Sequence, residues 1–199
     1  GERVVSDNPP VPPPVLEPVQ AVSFLDWASS YSGPKFNLIH CDFPYGNEIV
    51  GPKLFGSEER FYDNDFDLYI ALLETLCQQL PRLASLSSHL MYWCSSEIMT
   101  PGSKYGRETW SRFSRLAPDL EFQKFPLIWI KSDERGIASD SRRGPRHIYE
   151  TCLLASLGSR QICRVVSDAY SAPTDRRLHP SCKPEPMLRH FFQMLVDET

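Results

Sequence analysis

The sequence predicts an α/β fold, and three observations carry that expectation. Apolar runs of strand length, Phe36–Cys41, His89–Cys94 and Phe125–Ile130, alternate with stretches of helical spacing. The first run breaks abruptly into Asp42-Phe43-Pro44-Tyr45-Gly46, and Pro44 and Gly46 end the strand. An acid and an aromatic ring are thereby set at the carboxyl end of a strand, where open α/β sheets place their ligands.

The elements follow in order. Residues 1–18, with Pro9, Pro10 and Pro12 to Pro14, read as an extended, polyproline-like lead-in or linker, and globular patterning starts at Val19. Ser23 can cap a short helix carrying Phe24, Leu25 and Trp27, which ends near Gly33-Pro34. After the first strand, residues 47–66 form a long polar loop dotted with Phe55, Phe61, Tyr62 and Phe66, of the kind that is functional or mobile. Tyr69, Leu72, Leu73, Leu76 and Leu80 then share one face of a helix over Asp67–Leu80, which Pro81 ends or kinks. The second strand follows at His89–Cys94, a surface helix at 105–117, and the third strand at Phe125–Ile130. A fourth strand is expected at His147–Ser156 and a short fifth at Ile162–Val166. Leu188, Phe191, Phe192 and Leu195 mark a closing helix over Pro184–Val196, its prolines in the first turn where their missing N–H groups cost nothing. No internal repeat is visible.

Composition narrows the class. The 199 residues suit one domain with a real core. No apolar run approaches the ~20 residues that span a bilayer, and the chain shows no basic-then-apolar leader, so an intracellular, cytoplasmic protein is expected. Six scattered cysteines without a Cys-x-x-Cys pair predict reduced, mostly buried thiols and no metal site. The net charge of −4 is uneven: residues 1–130 carry 10 basic and 16 acidic side chains, residues 131–199 carry 11 and 9. Arg135, Arg142, Arg143, Arg146, Arg160, Arg164, Arg176 and Arg177 all lie in that later part. Local Arg density grips phosphate even in a net-acidic protein; the alternative is a solvated surface loop, and charge alone leaves both open.

Four segments in fixed order carry a family resemblance. They are Asp42-Phe43-Pro44-Tyr45; Met91-Tyr92-Trp93-Cys94; Ile128-Trp129-Ile130-Lys131 with Arg142-Arg143-Gly144 and Tyr149-Glu150-Thr151-Cys152-Leu153-Leu154; and His179-Pro180-Ser181-Cys182-Lys183-Pro184. The first resembles the Asp-Pro-Pro-Tyr motif of S-adenosylmethionine-dependent DNA amino-methyltransferases, with Phe43 where that family usually has proline. The third resembles the family's antiparallel strand pair, with its Trp-x-Lys and Tyr-Glu. The last resembles its His-Pro-Thr-x-Lys-Pro signature and is the most specific match. With the catalytic motif first and the Lys-Pro helix last, the order is that of the permuted class called β. Asp rather than Asn at position 42 separates the chain from RNA and protein methyltransferases with Asn-Pro-Pro-Tyr.

The resemblance implies a Rossmann-like methyltransferase sheet, mixed through its antiparallel pair, over residues 19–199. It implies methyl transfer from S-adenosylmethionine to an exocyclic base amino group of DNA, adenine N6 ahead of cytosine N4, without a metal. Asp42 and the backbone carbonyl of Phe43 would accept the two amino N–H bonds and draw the nitrogen toward tetrahedral geometry. Pro44 would shape the turn, and Tyr45 would stack on a base flipped from the duplex. Asp42, His179, Ser181 and Lys183 would face the cofactor. Lys183 has two readings: it meets the cofactor's carboxylate, or it fastens its helix to a neighbouring loop. Arg142, Arg143 and Arg146 would touch DNA phosphates. The family's Asp-Pro-x-x-Gly-x-Gly cofactor loop is expected directly after Thr199, so the chain is expected to be the catalytic half, inactive alone. The remaining cofactor half would come from the same protein or another chain. The sheet would then keep roughly four strands and leave its central one as an unpaired apolar edge. The competing reading is a non-catalytic domain that retains the fold to bind DNA or protein.

Overall fold

A computed structural model describes residues 21–45, 65–136, 142–175 and 182–196. Its organising strand is β2 (Ala84–Cys94), whose residues from Ser88 onward are all buried. β1 (Phe36–Cys41) lies parallel to it through α2 (Phe66–Leu83), pairing Leu38 with His89 and Cys41 with Tyr92. On the other side β5 (Tyr149–Leu157) runs antiparallel, Trp93 opposite Cys152. β5 in turn pairs antiparallel with β3 (Leu120–Phe122) and β4 (Leu127–Lys131), and β4 pairs parallel with β6 (Ala169–Ala172). The order is β1-β2-β5-β4-β6, with β3 beside β5. Every strand except β5 therefore points the same way. The expected mixed α/β, Rossmann-like sheet is present, with its parallel neighbours and its antiparallel pair.

Three expectations are corrected. The described sheet has six strands rather than about four. Ile162–Val166 is not a strand: Ile162 and Val165 are exposed and Arg164 interrupts them, so no face could be buried, and the strand forms later at Ala169–Ala172. β3 and β4 are one broken strand. Gln123 N–H still reaches the Leu154 carbonyl (2.8 Å), but Pro126 has no N–H to continue the ladder. Pro81 does not end α2, which runs two residues past it to Leu83 with the proline inside the last turn.

Alternation along the strands divides the core in two. Leu90, Tyr92 and Cys94 of β2, with Cys41, Leu153 and Ala155, face Tyr69, Leu73, Leu76, Cys77 and Leu80 of α2 and Tyr105 and Phe113 of α3 (Lys104–Leu116). α1 (Phe24–Ser30) packs on the same side through Phe24. Met91 and Trp93, with Leu127, Trp129, Cys152 and Leu154, face Met187, Phe191, Met194 and Leu195 of α4 (Glu185–Leu195). Helices on both faces leave the two ends of the strands as the places where a site can form. Among the described residues no helix is long and apolar enough to cross a membrane, and no cluster of His, Cys, Asp or Glu could hold a metal ion.

Candidate functional site

The carboxyl ends of β1, β2, β4 and β6, the start of β5 and the entry to α4 all meet at one edge of the sheet. Asp42 follows the buried Cys41 directly, so its carboxylate emerges where β1 stops. Phe43 points the other way. Its ring packs on Phe24 (centroids 5.0 Å) and edge-on to Tyr92 (6.0 Å). Where a proline would stiffen the turn by fixing φ, this ring holds it by packing into the core.

Three charged groups and one phenol converge behind Asp42. Lys183 Nζ lies 2.8 and 2.9 Å from the two Asp42 oxygens and 3.0 Å from Glu150 Oε2. It also donates to Tyr45 Oη at 3.1 Å. The Tyr45 hydroxyl is 3.0 Å from Glu150 Oε2 and 3.3 Å from Asp42 Oδ1. Glu150 Oε1 is held by Lys131 Nζ at 2.8 Å. The ammonium of Lys183 sits over the rings of Trp93 (5.2 Å) and Tyr45 (5.4 Å), and that of Lys131 over Trp129 (5.3 Å).

Exposure falls from front to back. The Asp42 side chain is 32% exposed, Glu150 and Lys131 18% each, and Lys183 5%. Two carboxylates and two ammonium groups cancel, which is how such a cluster survives out of water. Burial works against the charge on Lys183, but Glu150 and then Asp42 outweigh it and hold its pKa above the ordinary value. Burial likewise works to raise Glu150, and the charges of Lys183 and Lys131 overturn it, so its pKa is lowered. Burial, with the charges of Glu150 and Asp42, pushes the Tyr45 phenol well up, so it stays protonated and can donate.

A neutral histidine backs the cluster. Trp93 Nε1–H donates to His40 Nε2 (2.8 Å), and the ring of His40 stands edge-on to Phe192 of α4. An acceptor at Nε2 requires the tautomer protonated at Nδ1. Burial lowers its pKa first; the charge of Asp42 opposes that and Lys183 assists it.

Of the residues expected to act, Asp42, Tyr45 and Lys183 are brought into mutual contact, and Phe43 and Pro44 form the turn between them. His179 and Ser181 lie outside the described residues, as do Gly46 and most of the long loop after it. Arg142, Arg143 and Arg146 lie exposed on the turn that leads into β5, and Arg146 Nη1 donates to the Gly136 carbonyl (3.2 Å). They belong to the same edge of the sheet but not to the buried cluster. Spacing alone assigned no role to Glu150, Lys131 or His40. A signal existed: each is a polar residue at or near the end of an otherwise apolar strand run.

No protein-family model matches the chain, and no curated protein is similar to it. Among solved structures it is similar to the crystal structure of an M1.HpyAVI–SAM complex, at 13% identity and a TM-score of 0.45. That match covers 66% of this chain and 63% of the other, less than two thirds of its length.

Proposed function

We propose that this chain carries the base-activating part of an S-adenosylmethionine-dependent DNA amino-methyltransferase of the permuted β class, acting on adenine N6 in preference to cytosine N4. One observation carries the proposal. Segments separated by up to 141 residues, each quoted for its likeness to that family, meet in a single hydrogen-bonded cluster: Asp42 and Tyr45, Lys131, Glu150, and Lys183.

The described residues fit the transfer end of the cofactor through the Asp42 acceptor edge, which stands on the open side of a neutralised cluster, with the Tyr45 ring partly buried beside it against the Trp93 core. When bound, S-adenosylmethionine supplies an electrophilic methyl group on sulfur. The chain's own residues prepare the nucleophile. Asp42 is held by Lys183 on its inner side and keeps an exposed outer side; its oxygens and the Phe43 carbonyl accept the two N–H bonds of the target amino group. That interaction weakens delocalisation of the nitrogen lone pair into the base. Tyr45, anchored by its hydroxyl, holds its ring in one plane against the flipped base. Arg142, Arg143 and Arg146 hold DNA phosphates beside the site.

A second reading also has a specific observation. All three N–H donors of Lys183 are used within the protein, by Asp42, Glu150 and Tyr45, which leaves none for a cofactor carboxylate. That closed arrangement suits a domain that binds DNA and transfers nothing. Labelled methyl transfer from S-adenosylmethionine to DNA, measured with the expected cofactor half present and followed by nucleoside analysis, separates the two. N6-methyladenine supports the first reading, N4-methylcytosine corrects the base, and DNA binding without any transfer supports the second. Changing Arg142, Arg143 and Arg146 together to Ala should weaken DNA binding and flatten its salt slope by roughly 0.9 per lost phosphate contact. An unchanged slope would assign them to a solvated loop.

A further inference from the structure

Lys131 and Glu150 stand behind the Asp42 turn, on two strands that the turn itself does not belong to. Lys131 is the last residue of β4 and Glu150 the second of β5, directly after the residue that pairs with Ile130. Each Glu150 oxygen has its own task. Oε1 takes Lys131 (2.8 Å), while Oε2 takes both Lys183 (3.0 Å) and the Tyr45 hydroxyl (3.0 Å). Glu150 is thus the only described group that touches the other two members facing Asp42 and is itself fixed by a third.

We infer that Glu150, steadied by Lys131, is a positioning residue: it holds the Lys183 ammonium against Asp42 and orients Tyr45, so the acceptor edge is set from β4 and β5 as well as from the turn. The inference rests on the methyl-transfer reading of Asp42. Stability alone does not account for the arrangement, because apolar replacement of a buried ion cluster is often neutral or stabilising. What the ions add is direction. Without Glu150, Lys183 would keep Asp42 as its one anionic partner, and neither it nor Tyr45 would have a fixed rear support. The turn would then rest on the packing of Phe43.

The charged and titratable groups around Glu150 are Lys131 from β4, Lys183 from the entry to α4, Tyr45 from the turn after β1, and His147 just ahead on its own segment. Those around Asp42 are Lys183, Tyr45, His40 and the buried thiols of Cys41 and Cys152. Burial and then Lys131 lower the pKa of His147, so it is neutral at pH 7 and does not compete for the carboxylate.

Two readouts test the inference. The first needs no cofactor: acylation of Lys183 in the folded protein, followed by mass spectrometry across pH 7–10, with the exposed Lys124 as internal reference. Glu150→Gln should raise relative labelling of Lys183 several-fold, because losing its leading anionic partner frees more of the neutral amine, and Lys131→Met should raise it less. The second is steady-state methyl transfer to DNA with the expected cofactor half present. Glu150→Gln should lower kcat by up to about 10²-fold with little change in KM for DNA, the scale of a misplacement near 1 Å. Lys131→Arg should recover most of what Lys131→Met loses. In Lys131→Met the acid limb of the pH–rate profile should move to higher pH, since Glu150 loses one of its two cations. A purely structural role would not move it. If Glu150→Gln fails to fold, Lys131→Met carries the same test. Folded variants with unchanged Lys183 labelling overturn the inference, and so does increased labelling with unchanged kcat. If labelling responds but the wild-type protein transfers no methyl group even with its cofactor half present, the methyl-transfer reading fails and the positioning of Lys183 stands.

Discussion

Lys183→Met should be the most destabilising conservative change at the site, and the structure sets its scale. The side chain is 5% exposed, and its ammonium contacts four oxygens within 2.8–3.1 Å. Methionine fills much of the same volume, so packing on Trp93 is largely kept and the loss is electrostatic. Removing one partner of a buried ion pair costs about 3–5 kcal/mol. Asp42 is about a third exposed, and water recovers part of its share, so the lower end, about 3 kcal/mol, applies. For a chain of this size that corresponds to a fall in Tm of roughly 6–12 °C. The effect must depend on pH in a defined direction. Glu150 has a lowered pKa, so its contribution is present above the ordinary 4.5 and disappears as pH falls through its folded value. Lys183 has a raised pKa, so its contribution is complete below the ordinary 10.5 and disappears as pH rises through its folded value. The difference between wild type and variant should therefore be flat near neutrality and shrink at both extremes. Thermal melts followed by circular dichroism at pH 3, 7 and 11 measure it. A drop below about 2 °C at pH 7, or a larger drop at pH 3 than at pH 7, would refute the reasoning.

Three further predictions concern the frame. Gly158, just after β5, has φ +63°, and an added Cβ would lie 2.1 Å from the Leu86 carbonyl oxygen, so Gly158→Ala should cost about 2–4 kcal/mol by chemical denaturation; a cost under 0.5 kcal/mol would contradict it. Trp93→Phe removes the donor to His40 and should cost roughly 1–3 kcal/mol. Because the folded pKa of His40 lies below the ordinary 6.5, its term adds stability as pH rises from the folded value to 6.5. His40→Phe should flatten that rise in a pH series of melts, and an unchanged slope would show that His40 titrates normally.

Much of this architecture is legible in the sequence, and the exceptions have physical causes. β1, β2, β4 and β5 are apolar runs bounded by breakers, so burial writes them plainly. β3 is only Leu120-Glu121-Phe122 and exists because β5 is long enough to offer it an edge. β6, Ala169-Tyr170-Ser171-Ala172, has no apolar run, while Ile162 and Val165 have apolar character that the fold leaves exposed. The turn at Asp42 follows from Pro44 and from the end of the apolar run. The anchor at Phe43 does not, since local sequence is silent about Phe24 and Tyr92 lying beneath it. Spacing could not reveal that Lys131 and Glu150 support Lys183, because three separate segments must fold before any of them touch.

The central claim is that Asp42 activates a base amino group, and Asp42→Ala tests it most directly. That variant leaves Lys183 its contacts to Glu150 and Tyr45, so the cluster keeps a partner for every buried charge. Labelled methyl transfer from S-adenosylmethionine to DNA, measured in protein that includes the expected cofactor half and beside a melting curve and a DNA-binding isotherm, is the experiment. The account predicts a folded protein that binds DNA with affinity close to wild type and has lost nearly all transfer. A folded Asp42→Ala protein that methylates DNA near the wild-type rate would contradict it.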